Sequence, residues 1–115
     1  MNFLKSVLGG GSGSMIAADA KVRIEGENPP YVLDVRQPSE FASGHIPGAV
    51  LIPLDQLAAR MSELPKDREI LCVCRSGARS GSATRTLQSA GYQAVNLSGG
   101  MIAWQGAGFP VKKGS

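Results

Sequence analysis

The chain is poor in the residues that most often do chemistry. Among 115 residues it has one histidine, two cysteines and 5% aromatic residues. A single histidine and no clustered ligand set exclude the usual zinc spacings, and no glycine-rich nucleotide loop is present. No metal or organic cofactor is therefore expected. Two cysteines are too few for a disulfide framework. Cys72 and Cys74 stand two apart in an apolar run, where a mutual bridge is geometrically awkward. No stretch approaches the roughly 20 apolar residues of a membrane-spanning helix. The opening "MNFLKSVLGG" lacks the continuous apolar centre of a signal peptide. These absences point to a reducing compartment, with the cytoplasm as the expectation. Charge is also modest: +3 net, with pI about 9.1. That is too mild to argue for nucleic acid without a basic stripe.

What is present is an ordinary globular composition, 43% hydrophobic and 18% charged. The length suits one domain able to bury roughly 65% of its unfolded surface. Gly9 to Ser14, "GGGSGS", reads as a flexible linker behind a short amphipathic leader, so residues 1–14 are set apart from a domain over 15–115. Ala17 to Gly26 has a helical pattern. "YVLDV" (31–35), "AVLI" (49–52), "EILCVC" (69–74) and "AVNL" (94–97) read as strands. Pro38 opens a short helix. Leu54, Leu57, Ala58, Met61 and Leu64 recur with helical period, as do Ala83, Leu87 and Ala90 in a helix over 79–90. A last short helix follows Gly99. Strands alternating with helices imply an α/β fold, with a central, mostly parallel sheet and helices on both faces.

The chemistry concentrates in "CRSGARS", Cys74 to Ser80. This segment links a buried strand to a helix N-terminus, the place where open α/β sheets carry their sites. Loop amides and the positive helix end would face the Cys74 sulfur. Gly77 permits the turn. Such surroundings lower a thiol's pKa, so Cys74 needs no histidine base. Arg75 and Arg79 would attract an anion, and Ser76 and Ser80 could donate to a bound sulfur.

Three stretches carry a family resemblance: "LDVRQPSEFASGHIPGAV", "CRSGARS" and "LSGGMIAW". Together, and in this order, they resemble the motifs of single-domain rhodaneses, which are sulfurtransferases. The resemblance implies a rhodanese-like three-layer fold. It also implies a cycle in which Cys74 takes sulfur from thiosulfate or a persulfide donor and passes it, as a persulfide, to a thiol or cyanide. Arg75, Ser76, Gly77, Ala78, Arg79 and Ser80 would form the cradle. A persulfide carrier serving a sulfur-relay partner protein would use the same residues. A cysteine-dependent phosphatase is a rival, but that pattern has five residues between cysteine and arginine, whereas four separate Cys74 from Arg79. A non-catalytic binding module is the third class. Oligomeric state is left open.

The remaining residues have scaffold readings. Cys72 is a small buried residue or, more sharply, a resolving thiol. His45 lies in "SGHIPGA", which resembles a structural turn in the family. Asp34 is expected to bond the turn around His45, and Arg36 to pair with Glu40. Trp104 is expected in the core with its N–H partnered, Arg85 at the mouth or on a solvated face, and Lys112 and Lys113 in a solvated tail.

Overall fold

The apolar runs become the strands of one parallel sheet, so successive strands are joined by crossover connections. A computed structural model describes residues 13–115. The leader and most of the linker, residues 1–12, lie outside the described residues. The strands are β1 (Ser14–Met15), β2 (Tyr31–Asp34), β3 (Val50–Leu51), β4 (Ile70–Val73) and β5 (Ala94–Leu97). They pair in parallel throughout, in the order β1-β5-β4-β2-β3. The helices are α1 (Ala17–Ile24), α2 (Pro38–Ser43), α3 (Leu57–Arg60), α4 (Ala78–Ser89) and α5 (Gly100–Gly106).

β4 is central and buried along its length, and its side chains alternate between two cores. Ile70, Cys72 and Cys74 join Leu33, Leu57, Ala83 and Leu87 on the face covered by α3 and α4. Leu71 and Val73 join Ala17, Ala20, Met101 and Trp104 on the face covered by α1 and α5. Trp104 is 1% exposed, and its Nε1–H donates to the Pro110 carbonyl at 2.8 Å.

Several expectations need correction. The periodic stretch from Leu54 to Leu64 is not one helix: α3 is a single turn between 3₁₀ turns at Leu54–Gln56 and Met61–Glu63. Leu54, Leu57, Met61 and Leu64 still pack into the core while Ala58 is exposed, and bonds from Gln56 N–H to Pro53 O and from Leu64 N–H to Met61 O tighten both ends. The next helix, α4, ends at Ser89, with Ala90 exposed as its C-cap, and its buried stripe is Ser80, Ala83, Thr84 and Leu87. β1 carries no side-chain signal in two residues, yet Asn96 N–H donates to Gly13 O and Ser98 N–H to Met15 O, adding a strand at the edge. Lys112 is not free tail: its backbone pairs antiparallel with His45.

Gly100 governs how α5 meets β4. A Cβ there would collide with the carbonyl oxygens of Cys74 and Arg75, and its φ is +56°. Gly100→Ala is expected to cost about 2–4 kcal/mol, seen as a lower denaturant midpoint. The control, Gly106→Ala, has nothing within 4 Å and should be neutral or slightly stabilising. Equal effects of the two substitutions would contradict the packing argument.

Candidate active site

Cys74 follows the last residue of β4, and the chain turns at once into α4. The loop is oriented by what happens to its carbonyls. Those of Cys74 and Arg75 accept hydrogen bonds from Met101 N–H (2.9 Å) and Ile102 N–H (3.0 Å) in the first turn of α5. With these carbonyls directed to α5, the loop's N–H groups turn the other way, toward sulfur. Gly77, at φ +104°, makes the reversal and caps α4.

Three donors converge on Cys74 Sγ: Gly77 N–H at 3.1 Å, Ser80 N–H at 3.3 Å and the Ser80 hydroxyl at 3.2 Å. The N-terminus of the 12-residue helix α4 adds its partial positive charge. Burial by itself raises the thiol's pKa. Hydrogen bonds from the Ser80 hydroxyl and from the Ser80, Gly77 and Ser76 amides outweigh it, and Cys74 ends below the ordinary thiol value. Cys72, on the same face of β4, receives no such set. Burial pushes it up to about 11 despite a bond with Thr84, and the neighbouring Cys74 adds to the rise. Both cysteines are free. Near neutral pH Cys74 is the stronger acid, while Cys72 is a protonated, fully buried thiol.

The arginines divide unexpectedly. Arg79 is taken by Glu40 of α2 in a two-pronged ion pair, both bonds 2.8 Å. The Arg79 guanidinium, helped by the Gln37 N–H, holds Glu40 down to about 2 against a smaller opposing effect of burial. Arg36 therefore does not pair with Glu40. It grips Asp34, two residues back at the strand end, through Nε and Nη2 at 2.8–3.1 Å. Nor does Asp34 bond the His45 turn; Arg36 reaches that turn, donating to Gly44 O at 2.8 Å. Buried ions of this kind need partners, and the bidentate fork supplies them at short range. His45 is buried against Phe41, with Nδ1 2.8 Å from Phe41 O and ring centroids 3.7 Å apart. It is fixed in the turn by these contacts.

Arg75 is exposed, and its side chain has no partner among the described residues. It overlooks a cleft of about 220 Å³ between α2, the loop and α5, with Arg36, Glu40, Ile102 and Gln105 also on its walls. Larger hollows of about 840 and 550 Å³ lie along β1 and α1 and around the segments that lead into β2 and β4, and no residue of the Cys74 loop lines them. Arg75 is the residue that the smaller cleft shares with the Cys74 loop. Ser76 and Ala78 are exposed on the loop's outer side; Ser76 acts through its amide.

The residue that the motif reading missed is Asn96 of β5. Its Nδ2–H donates to Gly77 O at 3.0 Å, and its Oδ1 accepts from the Ser80 hydroxyl at 2.5 Å. The register pairs Asn96 with Cys72 across the sheet, which places it beside the loop. In sequence it reads only as a polar position within a strand.

The pH dependence of iodoacetamide alkylation tests the donor set. Ser80→Ala is expected to raise the Cys74 pKa by about 1–2 units, the size of a hydrogen bond to a charged sulfur. Cys72 should stay unmodified in the folded protein. An unmoved titration would remove the Ser80 hydroxyl from the set.

Comparison with known proteins agrees with this geometry. Residues 17–107 match the family described as the rhodanese-like domain. The chain is 47% identical over 81 residues to a sulfurtransferase of Allochromatium vinosum, covering 70% of this chain and 76% of that one. It is 42% identical over 89 residues to the putative sulfurtransferase YtwF of Bacillus subtilis, covering 77% and 86%. A crystal structure of a rhodanese-related protein from Thermoplasma volcanium superposes with TM-score 0.81 at 33% identity, covering 86% of this chain and 96% of that one. With that loop, that sheet and these relatives, the chain belongs to the rhodanese-like domain family.

Proposed function

We propose that this chain is a sulfurtransferase working through a persulfide on Cys74. The observation that carries the reading is the convergence of three donors on one sulfur. Donors so placed stabilise a thiolate before reaction and a sulfur anion after it. The Cys74 thiolate attacks the outer sulfur of thiosulfate. A new S–S bond forms at Sγ, the bond to the sulfonate sulfur breaks, and sulfite leaves with the electron pair. One negative charge on the thiolate and two on thiosulfate become one on the persulfide and two on sulfite. Cyanide or a thiolate then attacks the outer sulfur and Cys74 leaves as thiolate. This is covalent catalysis with a substituted-enzyme intermediate.

Two features support a small sulfur donor over a phosphate ester. Cys74 is 1% exposed, so a donor must reach it with a slender protruding atom. Arg79, the residue a phosphate loop would aim at its anion, is held by Glu40. Arg75 remains as the cation for a sulfonate at the cleft. A persulfidated donor, or a relay protein as acceptor, would use the same Cys74.

Steady-state transfer from thiosulfate to cyanide tests the reading. Double-reciprocal plots should be parallel, and Cys74→Ser should fall to background while keeping its thermal transition. Turnover near wild type in that variant would sink the nucleophile assignment. Separately, Arg75→Ala is expected to raise the thiosulfate KM about 3–10-fold with kcat little changed. An unchanged KM would place Arg75 outside donor binding.

A further inference from the structure

Ser80 has more acceptors than protons. Its hydroxyl lies 3.2 Å from Cys74 Sγ and 2.5 Å from Asn96 Oδ1, and both contacts have donor geometry. A serine hydroxyl carries one hydrogen. Ser80 is fully buried, so neither acceptor can be replaced freely by water. The two contacts must therefore alternate with the charge on sulfur. When Cys74 is a neutral thiol, its S–H donates to Ser80 Oγ, and Ser80 donates onward to Asn96 Oδ1. When Cys74 is a thiolate, Ser80 turns its hydrogen to the sulfur.

We propose that Asn96 is a positioning residue for Cys74 that acts through Ser80, competing with the sulfur for the single Ser80 hydrogen and so setting how strongly that hydroxyl supports the nucleophile. The inference goes beyond the sulfur-transfer reading and rests on it only for its meaning in catalysis. Asn96 is well built for the task. Its Nδ2–H is anchored on Gly77 O, so the amide cannot rotate to withdraw Oδ1. Gly77 O also accepts from Gly81 N–H at 3.0 Å, so the turn keeps a tether when Asn96 is replaced. The other charged and titratable groups near the sulfur lie on separate elements. They are Arg75 in the loop, Arg79 on α4 with its partner Glu40 on α2, Asp34 at the end of β2 with Arg36 just beyond it, and Cys72 below on β4. Arg85 of α4 reaches toward Gly81. β5 and α5 bring no charged residue.

The direction of two substitutions separates this role from a structural one. Asn96→Leu removes the competing acceptor, frees the Ser80 hydrogen for sulfur, and should lower the Cys74 pKa by about 0.5–1 unit. Asn96→Asp strengthens the competitor and adds a negative charge, and should raise it by at least as much. Loosening of the loop alone would raise it in both. The readout is the pH dependence of iodoacetamide alkylation at Cys74, which needs no sulfur donor. A failed transfer assay is thus distinguishable from a failed inference. Each substitution is also made in Ser80→Ala. There the Leu effect should vanish, and the Asp effect should shrink to the residue left by charge. Shifts of the same sign for Leu and Asp, or shifts of equal size with and without Ser80, would overturn the proposal. If Asn96→Leu does not fold, the Asp pair decides: a rise undiminished in Ser80→Ala rejects coupling through the hydroxyl.

Discussion

The structure of the site depends on where two carbonyl groups go. The first turn of α5 takes the carbonyls of Cys74 and Arg75. The peptide planes that follow then present their N–H groups to Cys74 Sγ. Gly100 is the condition for this contact, because any side chain there would occupy the space of those carbonyls. Gly77 is the second condition, because the chain must reverse at positive φ to enter α4. Two glycines far apart in sequence thus hold one thiol among fixed donors in a nearly dry site, where such donors act most strongly.

The same arrangement explains why two cysteines on one strand face differ in kind. Cys72 and Cys74 are both buried beside α4. Only Cys74 lies where amide donors converge, so desolvation dominates at Cys72 and hydrogen bonding dominates at Cys74. The arginines are similarly sorted by position. Glu40 and Asp34 hold Arg79 and Arg36, which fixes α2 and the following turn against the loop. Arg75 is left exposed on the wall of the small cleft. Under the proposed sulfur transfer, fixed donors at the sulfur and an exposed arginine on the same loop would suit a small anionic donor that presents a single reactive atom.

Much of the fold could be read from the chain because apolar runs and turn residues mark it locally. "AVNL" matches β5, and Pro38 and Gly99 sit where helices begin. The geometry of the loop is legible in "CRSGARS" because thiol, glycine and helix start are contiguous. Features that depend on distant partners were not. β1 is defined by Asn96 and Ser98, more than eighty residues away in sequence, and by nothing in its own side chains. Helical spacing from Leu54 to Leu64 reports the inward positions of Leu54, Leu57, Met61 and Leu64, but Ala58 is exposed, and the spacing carries no sign of the i to i+3 bonds that break the backbone into turns. Asp34, Arg36, Glu40 and Arg79 offer several pairings of opposite charge, and only the folded chain, which brings Glu40 of α2 to Arg79 of α4, selects one. Asn96 reads as an ordinary strand residue because its two partners are Ser80 on α4, 16 residues upstream, and Gly77 in the loop, 19 residues upstream.

The central claim is that the donor-lined pocket at Cys74 holds a transferable sulfur. Intact mass after brief incubation with thiosulfate tests it most directly, with Cys74→Ser as the reference. The account predicts a wild-type chain heavier by one sulfur atom, the added mass lost on exposure to cyanide and absent in the variant. Equal added mass on Cys74→Ser, or none on the wild type with either thiosulfate or glutathione persulfide, would contradict it.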